Sequence, residues 1–60
     1  MSKFILQTVD RSLELLELLS QNPAGLAPGE LEKALDLNKL TVHRLLSTLE
    51  NRKFIERVES

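Results

Sequence analysis

Lys39, Thr41, His43, Arg44, Ser47 and Thr48 place hydrogen-bonding side chains of several kinds within one short stretch of this chain. Their chemistry is recognition rather than bond-making. The Arg44 fork suits a pair of acceptors, such as guanine O6 and N7 or two phosphate oxygens. Lys39 offers a point charge and the hydroxyls offer both donors and acceptors. His43 and Ser47 stand one helical turn apart, but no carboxylate is evidently placed to orient the imidazole and no pocket is implied around the pair. Nucleophilic catalysis therefore lacks its parts. His43 is either a contact to a polar ligand or an inert surface imidazole.

These side chains need a helix that holds them on one face. Val42, Leu45, Leu46 and Leu49 recur at i, i+3, i+4 and i+7, which predicts a helix from a cap at Asn38 to about Asn51 with that line buried. Helical steps then turn the polar set to the outer and flanking surfaces. Before it, Pro28 suits a first helical position. Leu31, Ala34 and Leu35 mark a second short helix, over about Gly29 to Leu35, that stops near Asp36. Ala27 has no side-chain acceptor and is a poor cap, while Glu30 and Glu32 suit the helix start. Two short helices with a tight turn, the second polar outside, form the arrangement that inserts side chains into a DNA major groove.

The first helix is expected from about Val9 to Ser20, capped by Thr8, with Asp10 in its first turn. Val9, Leu13, Leu16 and Ser20 form one stripe. Ser12 interrupts another through Leu15 and Leu19, and Leu15, Leu18 and Leu19 widen the apolar surface. Either this broad face wraps two neighbouring helices, or Leu15 or Leu18 joins Ile5 and Leu6 against another subunit. Gln21 to Gly25 read as a turn, with Pro23 barring helix and Gly25 permitting positive φ. Leu26-Ala27 could form a very short strand, and Phe54 to Val58 read as a second one. A lone terminal strand leaves backbone groups unsatisfied. The expectation is that the chain is part of a larger unit, or that these two strands pair with each other.

Composition narrows the field. Sixty residues allow one domain, with no cysteine for a disulfide and one histidine, too little for a zinc site. No cofactor or metal is expected. The two glycines provide no phosphate-cradling loop. Glu14 and Glu17 look like a solvated face, and Phe4 with Phe54 is no stacking platform for single strands. No enzyme is expected. Apolar runs are too short for a membrane span, and the Lys3-Phe4-Ile5-Leu6 start is too short for a signal peptide, which makes an intracellular, cytoplasmic setting the default. The net charge of -1 argues against a generic nucleic-acid binder. Residues 1–35 carry three basic and five acidic side chains, residues 36–60 five basic and four acidic. That permits only a modest basic face.

The side chains around Arg44 keep two readings each. Leu40 either packs onto a thymine methyl group or closes the turn against the second helix. Thr41 either offers its hydroxyl to DNA or returns it to the backbone. Ser47 and Thr48 either touch the sugar–phosphate backbone or belong to a plain solvated face. Lys39, Arg52, Lys53 and Arg57 either add phosphate contacts or only solubilise.

The run Leu35-Asp36-Leu37-Asn38-Lys39-Leu40-Thr41-Val42-His43-Arg44-Leu45-Leu46-Ser47-Thr48-Leu49-Glu50 strongly resembles the DNA-binding domain of IclR-type bacterial transcription regulators. Those proteins show a leucine-proline-lysine-serine-threonine-valine-histidine-arginine-leucine-leucine pattern. The likeness extends over Val9 to Leu19 and Asn22 to Leu26, so it covers nearly the whole chain. It implies a mainly α, three-helix winged helix-turn-helix spanning residues 1–60, with a short or incomplete β wing, as a piece of a larger effector-responsive regulator.

The resemblance also implies pairing through the first helix and a palindromic duplex DNA operator bound by a homo-oligomer. A small-molecule effector would sit on a separate C-terminal domain. Lys39, Leu40, Thr41, His43 and Arg44 inherit the groove-reading role, and Arg57 a backbone contact where the wing begins. The chain departs from the pattern at Asn38 and Leu40, which replace the proline and the small serine. It departs again at Lys53, where a glycine commonly precedes the strand and a left-handed backbone is harder for lysine. The competing function is a winged helix used for protein interaction or dimerisation without DNA, favoured by the acidic total and the leucine-rich first helix.

Overall fold

In the computed structural model, which describes residues 4–58, the chain forms three helices: α1 (Gln7–Ser20), α2 (Pro28–Leu35) and α3 (Lys39–Asn51). Lys3, which heads the apolar run considered above, lies outside the described residues. One core unites the helices. Leu15 from α1, Leu31 and Leu35 from α2, and Val42, Leu45, Leu46 and Leu49 from α3 are buried together. Leu16, Leu18, Leu19, Leu26, Leu37 and Ile55 pack around them half-buried.

The start of α1 differs from the expectation, and of the stripe Val9, Leu13, Leu16 and Ser20 only Leu16 packs on the core. The helix begins at Gln7, with Leu6 in the cap position and no side-chain cap bond. Thr8 lies inside the helix, where its carbonyl accepts the Ser12 hydroxyl at 2.8 Å. This end of the helix is exposed, so water can satisfy its free N–H groups and no side-chain cap is required. Asp10 does stand in the first turn. Inward, the helix presents Leu15, which is 0% exposed, while Val9 and Leu13 of the expected stripe are 53% and 56% exposed. So many leucines surround α1 that periodicity alone does not choose among lines. The choice falls to the neighbours, and those cover Leu15, Leu16, Leu18 and Leu19, in its C-terminal half.

Gln21 to Gly25 turn the chain as expected. The Asn22 side-chain amide donates to the Leu18 carbonyl at 2.7 Å, and Gly25 takes φ 93°. Helix α2 starts on Pro28 behind Ala27. Ala27 offers no side-chain acceptor, but Glu30 reaches back and its carboxylate accepts the Ala27 N–H at 2.8 Å. The helix ends in a left-handed residue, Asp36, at φ 54° and ψ 48°. The Leu37 N–H then donates to the Glu32 carbonyl at 3.0 Å while the Leu37 side chain packs on the core. This reversal aims α3 across α2. An aspartate tolerates the left-handed region better than most side chains, though less well than glycine.

Neither expected strand forms: among the described residues there is no β-structure. Leu26-Ala27 and Ile55 to Val58 instead line a shared cleft of about 550 Å³ with Leu19, Leu31 and Leu46. Ile55 rests on the core, and Phe54 and Val58 point to solvent. The two segments flank the cleft without exchanging backbone hydrogen bonds, and a strand needs such a partner.

Candidate nucleic-acid interface

Helix α3 is held at both ends by bonds its sequence supplies. The Asn38 side-chain oxygen accepts the Thr41 N–H at 2.7 Å, the capping role expected of it. At the other end Arg52 caps and Lys53 turns left-handed at φ 65°. The Lys53 N–H donates to the Glu50 carbonyl at 3.0 Å and the Phe54 N–H to the Leu49 carbonyl at 2.9 Å. Lysine thus occupies the conformation for which the resemblance suggested glycine, at a cost of about 1 kcal/mol.

Between these ends the helix separates cleanly into two sides. Val42, Leu45, Leu46 and Leu49 are buried, as their spacing predicts. Leu40, His43, Arg44 and Ser47 recur at i, i+3, i+4 and i+7 and are all exposed. At about 100° per residue they form one ridge directly opposite the buried line. Lys39, also exposed, flanks the ridge on one side, with Thr41 and Thr48 on the other.

Arg44 has no ion pair with any described residue. Thr41 is half-buried, and its backbone N–H rather than its hydroxyl takes part in the cap. Thr48 turns its hydroxyl back onto the Arg44 carbonyl at 2.8 Å, leaving the oxygen as an acceptor only. Leu40 is 56% exposed and stands outside the core cluster, so it does not close the turn; Leu37 does. Beyond the helix, Arg52, Lys53 and Arg57 are exposed. Arg57 Nε lies 3.8 Å from Glu50 Oε1, a loose surface pair that a phosphate could displace.

The apolar residues named for contact with another subunit divide. Ile5 and Leu6 are exposed, Leu18 is half-buried against the core, and Leu15 is wholly enclosed within this chain and offers no outward surface. Val9 and Leu13 are exposed as well. With Phe4, Ile5, Leu6 and Asp10 they line a shallow groove of about 270 Å³ along the start of α1. The sequence places Val9 and Leu13 on one stripe of α1 without assigning that stripe to the core or to a partner; the surplus of leucine on α1 is why.

Among the described residues no cluster of His, Cys, Asp and Glu is suited to hold a metal ion. None of their helices is long and apolar enough to cross a membrane.

A core-bound helix with a polar outer ridge, set by a tight turn against a shorter helix, defines a helix-turn-helix domain. The chain belongs to the IclR helix-turn-helix family, whose domain matches residues 8–59. It is 40% identical over 50 residues to an uncharacterized HTH-type transcriptional regulator of Haemophilus influenzae, covering 83% of this chain and 19% of that protein. It is 35% identical over 52 residues to the HTH-type transcriptional regulator XynR of Escherichia coli, covering 87% of this chain and 21% of the relative. The chain thus spans about a fifth of the length of these curated relatives. No solved structure is significantly similar to it. The family is one of DNA-binding transcription regulators and not of enzymes.

Proposed function

We propose that α3 enters the major groove of duplex DNA with its N-terminal half foremost and reads a specific sequence there. The observation that carries this reading is the exposed ridge of Leu40, His43, Arg44 and Ser47 opposite a fully buried line, with Arg44 free of any described carboxylate. A helix with its side chains is about as wide as the major groove, so such a ridge can reach the floor. Arg44 contacts a guanine edge or a phosphate, His43 and Thr41 lie within reach of neighbouring bases, and Ser47 and Thr48 touch the backbone. Lys39, Arg52 and Arg57 add phosphate contacts, which position the helix but carry little sequence information. With a net charge of -1, one copy binds weakly and loses affinity quickly as salt rises.

Two copies acting together restore affinity and fit a palindromic operator. The groove along Phe4, Ile5, Leu6, Val9 and Leu13 is the surface best suited to join them, since it leaves large apolar side chains in water. The same groove favours the second reading, a protein-interaction module. In the complete regulator an effector-binding domain would set whether the pair of helices meets its operator.

Fluorescence anisotropy with a labelled duplex separates the readings. Arg44→Ala lowers affinity about tenfold to a hundredfold while the circular dichroism spectrum stays unchanged. Unaltered binding by the variant would instead support the interaction module.

A further inference from the structure

We propose that Leu40 is a specificity-determining residue that reads the 5-methyl group of a thymine in the operator. The inference rests on the major-groove reading above and adds to it the identity of one base. Leu40 is an apolar side chain placed where every neighbour on its face is polar. Lys39 precedes it, and His43 and Arg44 follow one turn later on the same ridge. It is 56% exposed, and the buried cluster does not include it. The turn between α2 and α3 is already closed by Leu37, which packs on the core and whose N–H is bound to the Glu32 carbonyl. Leu40 therefore stands outside the core that holds this fold together.

Leu40 also sits at the second position of α3, just behind the Asn38 cap, at the end of the helix that approaches base edges most deeply. The floor of the major groove carries mostly hydrogen-bonding groups, and its apolar feature is the thymine methyl. An exposed leucine that displaced water from a guanine or cytosine edge would leave that edge's donors and acceptors without partners. Against a thymine methyl it loses nothing and removes apolar surface from water on both sides. Arg44, at i+4 from Leu40, then falls on a base or phosphate close to that thymine. The operator half-site is thus expected to combine a thymine with a nearby guanine or phosphate contact, and a serine or alanine at position 40 would drop the thymine requirement.

The test is a selection from a random-sequence duplex library with the intact protein, followed by affinity measurements on the selected duplex. Uracil, which lacks only the 5-methyl group, replaces each conserved thymine in turn. The expected result is that one replacement per half-site weakens binding about fourfold, the loss of one buried methyl-sized contact. Leu40→Ala binds the thymine and uracil versions of that duplex alike. If no replacement affects the wild-type protein, or if the L40A protein still discriminates, the assignment of Leu40 is overturned while the DNA reading stands. If the wild-type protein enriches no sequence at all, the major-groove reading itself fails and the assignment falls with it.

Discussion

Helices α1 and α3 are nearly equal in length, and both carry leucine at helical spacing, yet they divide their residues differently. In α3 every apolar residue but Leu40 falls on one line, all of it buried, and what remains is a ridge of polar side chains around that one leucine. In α1 they exceed what α2 and α3 can cover, so Leu15 is enclosed while Val9 and Leu13 stay in water with Ile5 and Leu6. A helix with one stripe announces its inner face. A helix with a surplus does not say which of its lines turns inward. The two exposed surfaces also suit different partners, a polar polyanion for α3 and an apolar counterpart for α1.

The comparison breaks most readily at the leucines of α1. Leu15→Ala is expected to cost about 3 kcal/mol, enough to unfold much of so small a domain, because it opens a cavity in a sealed core. Leu13→Ala, two residues away, should cost less than about 0.5 kcal/mol. Chemical denaturation of the two variants measures the contrast, and equal losses would place both residues in one core. A charge at the exposed line sharpens the functional half. Leu13→Glu should leave the folded spectrum intact and abolish self-association in sedimentation, whereas a monomeric wild type would remove the basis for pairing through this groove.

The ends of α3 give smaller effects. Asn38→Ala removes the acceptor for the Thr41 N–H and should lower stability by about 1 kcal/mol. Lys53→Gly relieves a positive φ of 65° and should raise it by about 0.5–1 kcal/mol. Thermal melts resolve both, and a destabilised K53G protein would mean that the lysine stem packs more usefully than its backbone is strained.

What could be read in the sequence follows the same division. The span of α3, its Asn38 cap and its buried line were all legible because cap and periodicity agree from Asn38 onward. The strained Lys53 was legible only through the resemblance, as a departure from glycine. The inner line of α1 was not legible, since Val9-Leu13-Leu16 and Leu15-Leu18-Leu19 are equally good stripes and the core takes Leu16 from the first and all three of the second. Phe54 to Val58 has the residue types of a strand, but strand formation depends on a partner backbone that its own sequence does not encode. For the interface, residue types identified the polar set. Whether Leu40 closed the turn or faced outward depended on Leu37 reaching the core first.

The central claim is that the outer ridge of α3 meets DNA, and a titration of the isotope-labelled chain with a duplex, followed by NMR at low and then moderate salt, tests it most directly. The account predicts amide shifts confined to residues 38–48 and 52–57, fading as salt rises. A folded spectrum whose shifts fall instead along residues 4–13, or do not appear at all, would contradict it.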